Sequence, residues 1–398
     1  MGWTCNTVET GTSPGKGARN CAVEINISLA NLSAVILPRR NCSRFFGKIV
    51  EKMPTTMMQK QQGSRPAATR IQSVDVFRVL AIAAVIALHT APRAGLDAVG
   101  LRFDARTVCD QLERFAVPLF FMLSGYFWAG RCRDRAACRT AGVALARRIL
   151  VLFAAWSAIY FLITVAAVGW AAATRPLPGL PTLLLQGTKA HLWFLPALAL
   201  AALVTGALLA RGRERTLLVL ALALYAAGLA GKAYADTPIG FHTPVNMRNG
   251  PCFSLIMFVT GVRLQRLGPR PAWRRLGPAL ALGGLALQLA EVAWLHAHWG
   301  TNMAQDFVLG TYFYGLGMTM LALSDPAPLR CSRLAGLGPL VLGIYASHFL
   351  FVDLLAGPDA PLRAIPGWDI IVVALVFALS LALTGLLWRF APTRRLVA

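Results

Sequence analysis

From about residue 74 the chain alternates long apolar stretches with short polar breaks. Ten stretches reach, some only with their flanks, the roughly 20 residues that a transmembrane helix needs. They cover approximately 74–92, 114–130, 148–170, 191–210, 216–232, 250–266, 276–297, 306–324, 337–356 and 367–389. This pattern predicts an all-α integral membrane protein, a polytopic bundle of about ten transmembrane helices. Residues 1–72 differ: they are polar, lack a sustained apolar period, and are expected to form a disordered or weakly structured cytoplasmic extension. A translation start near Met57 would leave the membrane region, 73–398, intact. The opening Met1-Gly-Trp-Thr-Cys is not a signal peptide, so the first apolar span is expected to direct insertion.

Composition agrees. The 398 residues are 56% hydrophobic and 14% charged, with a mean hydropathy of +0.57, whereas a soluble domain carries about 25% charged residues. The net charge of +22 would suggest a nucleic-acid partner in a soluble protein. Here the arginines concentrate in alternate breaks. With the N-terminus inside, inner breaks hold nineteen Lys and Arg residues against nine in outer breaks, so both termini are predicted to be cytoplasmic. The charge reads as a topology signal that also attracts membrane lipids, with no nucleic-acid partner. The eight cysteines show no CxxC spacing, so no metal site is indicated. Cys132 and Cys138 fall in an inner break, where thiols are expected to stay reduced; Cys109 and Cys252 share the opposite side, either paired or as two packed thiols.

Arg78 and His89 lie eleven residues apart on one apolar span. That is close to three helical turns, so both side chains leave the same face, roughly 16 Å apart along the axis. Asp75 can pair with Arg78 at i, i+3. Taken singly, Arg78 could be a snorkelling anchor and His89 a buried, hydrogen-bonded imidazole. Together they indicate a site. The second span carries Pro118, expected to kink its helix, and Ser124-Gly125, expected to allow close helix approach with a secondary polar lining from Ser124. His191 and Trp193 open the fourth span, as an interfacial anchor or as a sugar-binding pair. His348 lies midway along the ninth span, followed by Asp353; Glu291 and Asp306 are further carboxylates at membrane depth or its edge. No Walker loop, GxSxG elbow or HExxH motif is present. A reaction with histidine as general base on a hydroxyl stays open.

Ser73-Val-Asp75-Val-Phe-Arg78 with His89, then Val117-Pro-Leu-Phe-Phe-Met-Leu-Ser-Gly-Tyr126, His191-Leu-Trp-Phe194 and Gly343-Ile-Tyr-Ala-Ser-His348, taken in that order, resemble acyltransferase family 3. The nearest branch is that of the surface-polysaccharide O-acyltransferases, which includes the O-acetyltransferase of enterobacterial common antigen. The resemblance covers about residues 73–398. It implies a multi-pass enzyme of the bacterial inner membrane that moves an acyl group, usually acetyl, from cytoplasmic acetyl-CoA to a sugar hydroxyl of an envelope polysaccharide or lipid-linked glycan. It also implies that Arg78 and His89 matter for activity. One departure is local: where the family often has glycine after the arginine, this chain has Val79, which puts close packing there in question. The expected site therefore has His89 and Arg78 as catalytic residues and Asp75, Ser124, His191, Trp193 and His348 against the substrates. Arg78, Arg147 and Arg148 would hold the phosphates of acetyl-CoA, with no metal. The competing function is secondary transport of a small polar metabolite with histidines coupling protons.

Overall fold

The computed structural model describes residues 70–90, 105–174, 179–356 and 368–397. Nearly all of the predicted N-terminal extension, the alternative start at Met57 and the outer cations Arg93, Arg102, Arg175 and Arg363 lie outside the described residues. Among the described residues the structure is helical and holds no strand. The main helices are α1 (Gln72–Thr90), α2 (Ala105–Glu113), α3 (Ala116–Ala129), α4 (Arg135–Val168), α5 (Trp170–Thr174) and α6 (Leu180–Gln186). A 3₁₀ turn (Ala190–Trp193) leads into α7 (Phe194–Ala210). Then follow α8 (Glu214–Ala230), α9 (Pro251–Leu267), α10 (Trp273–Trp299), α11 (Leu309–Leu323), α12 (Ser332–Gly336), α13 (Val341–Leu355), α14 (Trp368–Arg389) and α15 (Ala391–Arg394).

Among the described residues six segments are long and apolar enough to cross a membrane: 72–90, 135–168, 190–210, 273–299, 333–355 and 370–389. The other predicted spans are also helical, but α3, α8, α9 and α11 have only 14, 17, 17 and 15 residues. The largest boundary difference is in α4. The sequence places Arg135–Arg147 in a polar break, yet helix begins there, because Asp134 accepts the Ala137 N–H at 2.8 Å and caps it. The arginines ride on that first stretch of helix. Pro118 also departs from expectation. It falls in the first turn of α3, where its missing N–H would have no helical partner, so it starts the helix without kinking it.

Small residues let the helices approach closely. At Gly125 an added Cβ would collide with the Phe258 carbonyl, and at Gly261 with the Met122 carbonyl, so α3 and α9 meet backbone to backbone. Polar groups at helix starts are matched from neighbouring elements. Asp325 accepts the Ser73 N–H at 3.2 Å at the start of α1, while the Ser73 hydroxyl donates to the Ala322 carbonyl at 2.5 Å. Glu291, buried on α10, accepts the N–H groups of Leu309 and Gly310 at 2.9 Å each and the hydroxyl of Tyr234. This carboxylate is the cap of α11, placed against the positive end of its dipole, which gives Glu291 a structural role.

Cys132 and Cys138 form a disulfide with Cα atoms 4.4 Å apart, contrary to the expectation of reduced thiols. The turn into α4 brings them together across six positions. Cys109 and Cys252 are free thiols.

Replacing Glu291 by Leu should orphan the N–H groups of Leu309 and Gly310 and lower stability by about 2–3 kcal/mol, with Gln recovering part of the loss. Thermal unfolding in detergent checks this; an unchanged midpoint for the Leu variant refutes the capping role.

Candidate active site

A cavity of about 300 Å³ lies within the bundle, and both Arg78 and His89 line it. Its wall is built by α1, α3, α4, the turn at Ala190–Trp193, α7 and α13. The rest of the wall is largely apolar, with Val85, Val117, Phe120, Leu123, Leu195 and Val341.

Arg131 and Arg148 add two further guanidinium groups to the lining. Arg147 is exposed and absent from the wall, because adjacent residues on a helix point about 100° apart. Asp75 does not line the cavity. It accepts from Arg70 Nε at 2.6 Å and from Arg78 Nη1 at 3.5 Å, so it holds the arginine from behind. Arg70 also donates to the Ala335 carbonyl at 2.5 Å. The Asp75 side chain rests on Gly338, where a Cβ would overlap the carboxylate. The close approach thus occurs at Gly338, and Val79 is simply a buried packing residue.

Three imidazoles converge. The His89 and His348 rings lie 5.5 Å apart, and those of His191 and His348 4.9 Å apart. The Phe349 ring stands between His89 and His191, at 4.7 and 4.5 Å. His191 and Trp193 reach the cavity, as does Ser124. His348 is fully buried and not part of the wall, and it meets the lining residues His89, His191 and Tyr345. Tyr345, one helical turn before His348, lines the cavity and donates its hydroxyl to the His191 carbonyl at 2.5 Å.

Sequence reasoning did not single out Arg131, Tyr345 or Phe349. Arg131 looked like any other orienting arginine in its break. Tyr345 stands three residues before His348, a spacing that shares one helix face and was the available signal.

Beyond the imidazoles sits a knot of charge. Asp306 meets Arg248 at 2.8 Å, Arg114 at 3.2 Å and Lys232 at 3.1 Å. The Arg248 guanidinium lies 4.7 Å over the Trp193 ring, which ties the knot to the cavity wall. Burial opposes ionisation of Asp306, but Arg248, Arg114 and Lys232 outweigh it and hold the carboxyl down at about 2. Nearby Glu113 is pushed up to about 8 by burial and by Asp110, against the pull of Arg114, so it keeps its proton at neutral pH.

These features define a helical protein of membrane type whose cavity joins cations to imidazoles. A model of the acyltransferase domain of acyltransferase family 3 matches residues 71–389, and the chain belongs to that family. Relatives include an amino-acid racemase of Enterococcus faecalis, 28% identical over 200 residues, which are 47% of this chain and 27% of the relative. A serine/alanine racemase of Enterococcus gallinarum is 28% identical over 242 residues, 56% of this chain and 33% of the relative. The matched region spans a third or less of the length of these curated relatives. No solved structure matches.

The Asp306 carboxyl is depressed in the folded chain, so its contribution to stability is present above the unfolded value and is lost as pH falls toward about 2. Asp306→Asn should therefore destabilise at pH 7 by about 2 kcal/mol, and the gap from the parent should narrow below about pH 4 and close near about pH 2. A gap independent of pH, measured by thermal unfolding, would contradict this account of the knot.

Proposed function

We propose that this protein is a multi-pass O-acyltransferase of the bacterial inner membrane, with about ten transmembrane helices and both termini cytoplasmic. It moves an acyl group, acetyl in the first instance, from cytoplasmic acyl-CoA to a sugar hydroxyl of a cell-surface polysaccharide or lipid-linked glycan. Membership of the family supports acyl transfer. The observation that carries the reading is the shared cavity: Arg78, Arg131 and Arg148 line it together with His89 and His191, in a wall that is otherwise largely apolar.

Guanidinium groups bind phosphate oxygens through paired N–H donors, so Arg78, Arg131 and Arg148 take the phosphates of the coenzyme. Asp75 keeps Arg78 turned toward them. The pantetheine arm follows the apolar wall and brings the thioester carbonyl beside His89. There the His89 lone pair takes the proton from the acceptor hydroxyl. The oxygen attacks the carbonyl carbon, the C–S bond breaks, and the departing thiolate recovers the proton from the imidazolium. Ester and free thiol are the products, and His89 returns to its starting form. Trp193 offers an aromatic face on which a pyranose ring can lie, stiffened by Arg248 on the ring. His191 and Ser124 supply polar contacts to the bound substrates. The racemisation in the relatives' names is a property of those proteins.

Purified protein in lipid should release thiol from acetyl-CoA faster when a suitable glycan is added. His89→Ala should lower that rate by about 10²–10⁴-fold while leaving the protein in the membrane. Arg78→Lys should raise KM for acetyl-CoA, since a point charge replaces a fork. Full transfer activity in the His89→Ala protein would rule out its role as base.

A further inference from the structure

Three cations gather on Asp306, and one carboxylate cannot neutralise them all. Arg114 is matched separately by Asp110, through Nε at 3.2 Å and Nη2 at 2.8 Å. Arg248 and Lys232 are left to share Asp306, and among the described residues neither meets a second carboxylate. Glu113 keeps its proton at neutral pH and adds no charge. The knot therefore holds one positive charge in excess. Its donors are not exhausted either. Arg248 gives Nη1 to Asp306 at 2.8 Å and Nε to Asn249 at 3.5 Å, which leaves Nη2 without a partner among the described residues. The Lys232 ammonium has three N–H groups, and among the described residues it meets Asp306 alone. Both side chains can be reached, with 21% of Arg248 and 32% of Lys232 exposed. A partly buried charge without a counter-ion is costly, so the excess calls for an anion. The knot also adjoins the cavity. The Arg248 guanidinium lies 4.7 Å over the ring of Trp193, a lining residue. Its charge acts on His89 and Tyr345 as well, and both line the same cavity. Arg114, Lys232 and Arg248 all fall in outer breaks of the predicted topology, where cations are the minority. Topology signalling does not account for them.

We propose that Arg248 and Lys232 form an anion subsite beside Trp193, and that the glycan acceptor carries a carboxylate or phosphate group that seats there. Asp306 is the brace: it grips both cations and so keeps them close together, while neutralising only one. The free Nη2 of Arg248 and the remaining N–H groups of Lys232 supply charge-assisted hydrogen bonds to the anion. With the acceptor sugar against Trp193, a charged group on that sugar or its neighbour comes within reach of the guanidinium. The inference rests on the proposed acyl transfer and narrows its acceptor to an acidic glycan, either a sugar acid or a glycan on a phosphate linker.

The test measures binding apart from transfer. The full chain in phosphatidylcholine bilayers is titrated with methyl glucoside, methyl glucuronide, the methyl ester of that glucuronide and glucosyl phosphate, and binding is read by saturation-transfer NMR. At least one charged sugar should bind about tenfold tighter than both neutral ones, and the advantage should shrink at high salt. Preference for the glucuronide assigns the anion to a sugar acid; preference for glucosyl phosphate assigns it to a phosphate linker. Equal affinity for charged and neutral sugars overturns the proposal, and this comparison needs no variant. Lys232→Gln and Arg248→Gln each remove the excess charge and should bring the ratio of charged to neutral affinities close to one. A ratio that survives both substitutions also overturns it. If adding phosphatidylglycerol to the bilayer abolishes the preference, the knot serves lipid headgroups and the proposal fails. Thiol release from acetyl-CoA is then followed with the same sugars. Release stimulated most by the neutral sugars overturns the subsite and leaves acyl transfer standing. A charged preference in binding, with no sugar stimulating thiol release, leaves the subsite standing and counts against acyl transfer.

Discussion

A polar group inside an apolar bundle must find its partner within the protein, because no water is there to supply one. This constraint sorts the ionisable and aromatic groups of the molecule into two kinds. Glu291 and Tyr160 are matched by groups on neighbouring elements, and each fastens two segments together, while Asp75 is matched within its own stretch by Arg70 and Arg78. The buried ring nitrogens without partners belong, among the described residues, to Trp128, His191 and His348. The first two of these side chains line the cavity and the third lies directly against it.

The same sorting governs the cations. Arg78 is partly exposed to the cavity while Asp75 braces its guanidinium from behind. The charge is neither buried alone nor neutralised in full, the state suited to meeting phosphate. Around Asp306 three cations surround one carboxylate, and the ring of Trp193 beneath Arg248 links that knot to the cavity wall. Binding charge and reacting imidazole share one largely apolar wall.

Much of this was legible from residue order. Apolar period alone located the helices, and an eleven-residue spacing was enough to place Arg78 and His89 on one wall, because helical pitch leaves no other outcome. Features that depend on a neighbour were not legible. Pro118 has the composition of a kink, but its position in the first turn depends on where α3 starts. Arg148 and Arg147 are chemically identical, and only the rotation of α4 against the bundle puts one of them on the cavity. His348 was placed on the ninth span, yet whether it lines the cavity or stands one ring behind is decided by the packing of α13 on α1 and the turn before α7. Disulfide pairing of Cys132 with Cys138 likewise follows from a turn geometry that spacing does not specify.

The cavity takes its wall from α1, α3, α4, α7 and α13 with their adjoining turns, and none from α8, α9, α10, α11 or α14. The second group supplies enclosure, through glycine-mediated contact and the Glu291 cap. Labour in this bundle is therefore divided by segment. Descendants of such a chain could drift widely across the enclosing helices, provided small residues stay at the crossings, and still run the same reaction. A change of acceptor would have to be written into the walls.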